Sequence, residues 1–89
     1  MKPIEPSKTM MATKAWATIN GGEHDIRSDY FDYCQVFYQD EENYYGHWIT
    51  GHTDLQNRKV RFPKETTREM TPEESEKLER LDNHPMIRL

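Results

Sequence analysis

The sequence predicts a small α+β domain: an antiparallel sheet of three to five strands, with a curled SH3-like barrel among its forms, and one C-terminal α-helix. Three observations carry this. The segment from Tyr30 to Thr50 holds eight of the ten aromatic residues and alternates with period two around a polar turn. Asn20-Gly21 follows a β-prone run and tolerates the positive φ angles of a tight hairpin turn. Thr71-Pro72-Glu73-Glu74 combines an N-cap hydroxyl, a proline at the first helical position and a capping-box glutamate.

Residues 1–11 carry two prolines, two lysines and no apolar period, and are expected to be a disordered N-terminal tail. The folded domain is expected over 12–84, with 85–89 as a C-terminal tail. Thr13 to Ile19 reads as a strand that enters the Asn20-Gly21 turn. The return arm, Gly22 to Ile26, is polar and promises only a short hairpin or a loop.

The aromatic segment reads as a second hairpin. Cys34, Val36 and Tyr38 face one way, and Tyr33, Gln35 and Phe37 the other. Asp40-Glu41-Glu42-Asn43 then forms the turn, and Tyr44 to Thr50 returns. Closing that turn sets Tyr38 opposite Tyr45, Val36 opposite His47 and Cys34 opposite Ile49. Gly46 and Trp48 then lie with Phe37 on the reverse face. Tyr30, Tyr33, Cys34, Phe37 and Tyr38 also satisfy helical spacing, so a helix over 29–42 is the competing reading. Aromatic and β-branched side chains lose rotamer freedom in a helix and suit a pleated surface, which favours the hairpin.

Arg58-Lys59-Val60-Arg61-Phe62 alternates basic and apolar residues up to Pro63, as an edge strand does. The capping box opens a helix from Pro72 to about Asp82, with Glu73–Lys77 and Glu76–Arg80 at ion-pair spacing and only Leu78 and Leu81 for an apolar stripe. Asn83-His84-Pro85 ends it.

Composition limits the function. The chain has 89 residues, a net charge of -4 and 34% hydrophobic residues. Its mean hydropathy is -1.10, so the core is thin and leans on aromatic rings. The acidic balance argues against general DNA or membrane-surface binding. The single cysteine, Cys34, allows no internal disulfide, no apolar run approaches a membrane span, and the first residues lack the apolar stretch of a signal peptide. The cytoplasm is the expected compartment.

The leading candidate site is an aromatic surface on the reverse face of the second hairpin, formed by Tyr33, Phe37 and Trp48 with Tyr44 near the turn. A short chain has little left to cover both faces of such a sheet, and Tyr and Trp anchor interfaces. The simpler reading places all these rings in one core. Beside them, Arg58, Lys59, Arg61, Lys64 and Arg68 give five positive charges against Glu65 within residues 58–68. Lys59 and Arg61 would project together from a strand, and aromatic rings beside them would make a stacking platform for single-stranded nucleic acid. Segment 23–42 offers the opposite charge, seven carboxylates against Arg27, either to neutralise the basic run or to act as a phosphate mimic.

Metal binding would fall to His24 with Asp25, or to His47, His52 and Asp54, and neither spacing is diagnostic. Cys34 sits in an apolar alternation where a buried thiol is expected, and a chain of this size has little room for a substrate cleft. The sequence therefore predicts no enzyme, no cofactor and no metal site. It predicts a protein-interaction module, a small regulatory inhibitor or accessory subunit, whose partner-binding residues are Tyr33, Phe37, Tyr44, Trp48, Lys59 and Arg61. Single-stranded nucleic acid is the alternative partner, and a homodimer through the same face is a further form.

Overall fold

The strands of the sheet join in a ring. In the computed structural model, which describes residues 1–52, 55 and 58–82, the order is β1 (Lys2–Ile19), β2 (Gly22–Gln39), β3 (Asn43–Trp48), β4 (Val60–Pro63), a 3-10 turn (Lys64–Thr66), β5 (Thr67–Glu69) and α1 (Pro72–Asp82). All pairings are antiparallel. β1 pairs with β2, β2 with β3, β3 with β4, and β4 returns to β1 through the Trp16–Arg61 bridge, while β5 adds to the earlier part of β1. The five-stranded antiparallel sheet with a C-terminal helix is the predicted fold class, in its curled form. The expected tail 85–89 lies outside the described residues.

Two features of the chain build the long β1–β2 hairpin. Asn20 and Gly21 take φ angles of 53° and 82°, which closes a two-residue turn between Ile19 and Gly22. Two register shifts then bend the ladder. Ile4 to Ser7 bulge opposite Phe37, and Ser28 to Phe31 bulge opposite Thr13. Each shift breaks the pairing and bends its strand, so both strands can run the length of a curled sheet.

The expectation of a disordered segment 1–11 is corrected here. Lys2 and Pro3 pair with Gln39 and Tyr38, and Lys8 to Met11 pair with Val36 to Tyr33. Two tethers hold this half of β1: the Thr9 hydroxyl donates to Gln35 Oε1 (2.7 Å) and Gln35 Nε2 donates to the Ser7 hydroxyl (2.7 Å). Met10 and Met11 are both buried, one on each side of the sheet. The segment lacks an apolar period because its burial comes from two adjacent methionines rather than from alternation.

Inside the ring lie Met10, Ala12, Ala15, Ala17, Cys34, Val36, Trp48, Val60 and Phe62. The alanines on β1 leave room for Trp48, whose ring meets Phe62 edge-on at 5.0 Å. Residues 29–39 are strand, so the helical reading of 29–42 does not hold. The turn 40–43 forms as the sequence predicts: Asp40 Oδ1 accepts from the Glu42 and Asn43 amides at 2.9 and 2.8 Å. The helix begins where its capping box places it, and the expected stop at Asn83-His84-Pro85 lies outside the described residues. Glu74 N–H donates to the Thr71 hydroxyl (3.2 Å), and Thr71 N–H donates to Glu74 Oε1 (2.9 Å), completing the capping box. No helix among the described residues is long and apolar enough to cross a membrane.

Candidate interaction surface

One inserted residue decides which aromatic rings reach the surface. Tyr38 pairs with Tyr45 and Gln39 with Tyr44, as the four-residue turn requires. Past Phe37 the register shifts by one, so Val36 faces Gly46 and Cys34 faces Trp48. Phe37 is the bulged residue. Because side chains alternate with period two, this slip moves Gly46 and Trp48 from the outer face to the inner one. Gly46 is the residue that permits it: a Cβ there would sit 1.8 Å from the Gln35 carbonyl oxygen and 2.9 Å from Val36 Cα.

The expected aromatic face is therefore redrawn. Trp48 is 0% exposed and belongs to the core, where its ring meets Phe62 edge-on and His52 at a tilt. Its Nε1 is a buried donor without a hydrogen-bond partner among the described residues. Tyr33 is also buried, beneath the first turn of α1, and donates its hydroxyl to the Glu74 carbonyl oxygen (2.7 Å). Tyr44 is half-buried and packs against the core, with Lys64 Nζ 4.9 Å from its ring centroid. Phe37 remains outside at 39% exposure, tilted against His47 with ring centroids 5.5 Å apart. Arg61 projects outward from β4 between the buried Val60 and Phe62, and the exposed Lys59 immediately precedes the strand, in the predicted alternation.

These survivors join residues that sequence reasoning did not single out. Tyr38 pairs with Tyr45, Tyr45 with Arg61, Arg61 with Trp16, and Trp16 with Asp25. This is one continuous row crossing four strands on the outer face of the ring, with neighbouring Cβ atoms about 5 Å apart. Tyr38 is 41% exposed. Lys59 Nζ lies 5.8 Å from the Tyr38 ring centroid, Lys14 Nζ 4.8 Å and Arg61 Cζ 6.0 Å from that of Trp16. A groove of about 630 Å³ runs beside the row, lined by Trp16, Asn43, Arg61, Pro63 and Lys64, with Glu42 and Glu65 on its walls.

The charges on this face are interleaved. Arg61 pairs with Glu23 (3.2 Å), and Asp25 lies between Lys14 (3.8 Å) and Arg27 (2.9 Å). At the edge, the Tyr45 hydroxyl donates to Asp40 Oδ2 (2.5 Å). That bond, with the Asn43 and Glu42 amides, holds the Asp40 carboxyl below its usual range and pushes the Tyr45 hydroxyl up. Tyr45 is thus fixed by the turn it flanks.

A Ser–Asp–His cluster lies elsewhere. Ser28 Oγ donates to Asp32 Oδ2 (2.6 Å) and sits 2.5 Å from His52 Nε2. The Ser28 hydroxyl proton is directed at Asp32, unlike that of an activated serine, whose proton leaves towards histidine. The cluster braces the 28–31 bulge against the chain after β3. Among the described residues no three His, Cys, Asp or Glu side chains are placed to share a metal ion, and Asp54 lies outside them. Cys34 is buried, donates to the Met10 carbonyl oxygen (3.4 Å), and has its thiol pushed up to about 12 by burial.

The chain matches no protein-family model, no curated protein and no solved structure.

Proposed function

We propose that this chain is a non-catalytic protein-interaction module of the cytoplasm, a small inhibitor or accessory subunit, and that its partner lies across the outer row Tyr38–Tyr45–Arg61–Trp16 with Phe37 and Lys59 at its margin. The observation that carries this reading is the row itself. Tyr, Trp and Arg are the residue types that dominate binding energy at protein interfaces, and here they are contiguous on paired strands rather than on loops. The interleaved Glu23, Asp25, Glu42 and Glu65 favour a protein surface carrying both signs over a uniformly anionic backbone.

One observation supports single-stranded nucleic acid as the second reading. Lys14, Lys59 and Lys64 each lie within 6 Å of an aromatic ring, the pairing of stacking surface and phosphate contact that such binders use. Affinity capture from native lysate, with and without nuclease, separates the two. The test compares the wild type with a Trp16→Ala/Tyr38→Ala/Arg61→Ala variant of unchanged circular dichroism. A stoichiometric protein that survives nuclease and is lost with the variant supports the interaction reading. Retention of nucleic acid alone, with a salt slope reduced by Lys59→Ala, supports the second. A protein held equally by both chains removes the outer row from the account, and a wild type that self-associates through the row makes the partner a second copy.

A further inference from the structure

A second aromatic surface lies under α1. Tyr33, Met11 and Arg68 stand opposite one another across β2, β1 and β5. Their neighbours Cys34, Met10 and Ala12 point into the ring core, so this row points away from it. Met11 and Tyr33 are nevertheless buried, at 2% and 6% exposure. The first turn of α1 is bonded to this row on both sides of Met11, at Tyr33 and at Arg68. Arg68 binds the Glu74 carboxylate through two nitrogens at 2.7 and 2.8 Å and lies 4.2 Å from the Phe31 ring centroid, and the Tyr33 hydroxyl donates to the Glu74 carbonyl oxygen. Phe31 is half-exposed, and next to it on the bulge Tyr30 is 80% exposed.

Beyond Glu74, the described side chains of α1 are mostly exposed. From Pro72 to Arg80 only Glu74 and Leu78 are not exposed, and none of these residues belongs to the ring core. The polar contacts that fasten the described helix to the sheet converge on Glu74. Elements with few buried contacts open separately from the body of a domain. We infer that α1 is a releasable cover: it opens as a unit when the Glu74 contacts are lost, while the ring of strands stays closed. Opening joins Tyr33 and Met11 to the exposed Tyr30–Phe31 bulge and makes one larger aromatic surface. This inference stands apart from the outer row and does not depend on it.

Hydrogen exchange followed by mass spectrometry on the full chain tests it. The expected result is that α1 amides exchange at least ten times faster than the paired amides of β1 to β3. Glu74→Gln, which keeps the capping geometry but removes the charge held by Arg68, raises α1 exchange further and leaves the sheet unchanged. Tyr33→Phe does the same to a smaller extent and guards against a folding defect in the first variant. Peroxide oxidation gives a second readout: Met11 is oxidised several-fold faster in Glu74→Gln than in the wild type, whereas Met10, inside the ring, is not. Exchange of α1 at the same rate as the sheet in all three proteins, or oxidation of Met10 and Met11 in step, overturns the inference.

Discussion

Replacing Gly46 by alanine probes the register slip that sorts the aromatic rings. The new Cβ would lie 1.8 Å from the Gln35 carbonyl oxygen, 2.8 Å from its carbon and 2.9 Å from Val36 Cα, and all three are backbone atoms. No rotamer change relieves this contact, because the neighbour is the opposing strand itself. The β2–β3 ladder must open by more than 1 Å at the bulge, or the register must move. Overpacking a core costs about 1–3 kcal/mol when side chains can yield, so a clash confined to backbone is expected at the upper end or above, about 3–4 kcal/mol. A domain of this size has a total stability of roughly 4–13 kcal/mol, so the change removes a large share of it. Since 1 kcal/mol shifts Tm by about 4–8 °C in a domain of 60–100 residues, the midpoint should fall by roughly 12–30 °C. Urea titration followed by tryptophan fluorescence measures the effect through Trp48. A Gly46→Ala variant within about 0.5 kcal/mol of the wild type, the range of a neutral surface change, would refute the close approach and the bulge with it.

Other predictions are independent of that site. Arg68 and the capping bonds hold the Glu74 carboxyl down at about 2, against an ordinary 4.5. A depressed folded-state value stabilises the fold above pH 4.5 and loses that contribution as pH falls towards 2. With Glu74 partly solvated, the loss is about 1 kcal/mol rather than the full linkage value. Acid titration of helicity should show this loss in the wild type and not in Glu74→Gln. Cys34, with its thiol raised to about 12 inside the ring, should resist iodoacetamide at pH 8 in the native protein and react once urea unfolds it. Rapid native labelling would contradict its burial. Removing the Asp40 turn cap by Asp40→Ala should lower the thermal midpoint of the domain and release Tyr45 to a lower pKa readable by ultraviolet titration.

The parts of the fold that were legible in the sequence are those with local signals. The helix Pro72–Asp82 follows from a capping box that depends only on residues 71 to 74, and the Asn20-Gly21 turn from backbone angles few other residues accept. The β4 alternation was legible for the same reason, since Val60 and Phe62 need only period two to be assigned to one side. Trp48 was misplaced because a bulge has no local signature: a period-two count runs through Phe37 without seeing that it is unpaired. Gly46, which has no side chain to pack in an aromatic strand, was the available mark of it. The 1–11 segment was read as tail because Met10 and Met11 are adjacent and buried on opposite faces of the sheet, which erases periodicity. That Trp16 and Tyr45 share one row with Tyr38 and Arg61 was not legible, because it comes from pairing across β1, β3 and β4, a relation between distant segments. The outward placement of Lys59, Arg61 and Phe37 was legible because local alternation or the bulge exposes each of them.

The sorting of the two tryptophans tests the account most directly. In single-tryptophan variants made by Trp16→Phe and Trp48→Phe, the remaining Trp48 should emit far to the blue and be shielded from acrylamide, because it lies wholly inside the ring. The remaining Trp16 should emit to the red and be quenched, because it stands half-exposed on the proposed binding row. Trp48 quenched as readily as Trp16 would mean that the bulge at Phe37 does not turn it inward, and the outer row would have to be redrawn around it.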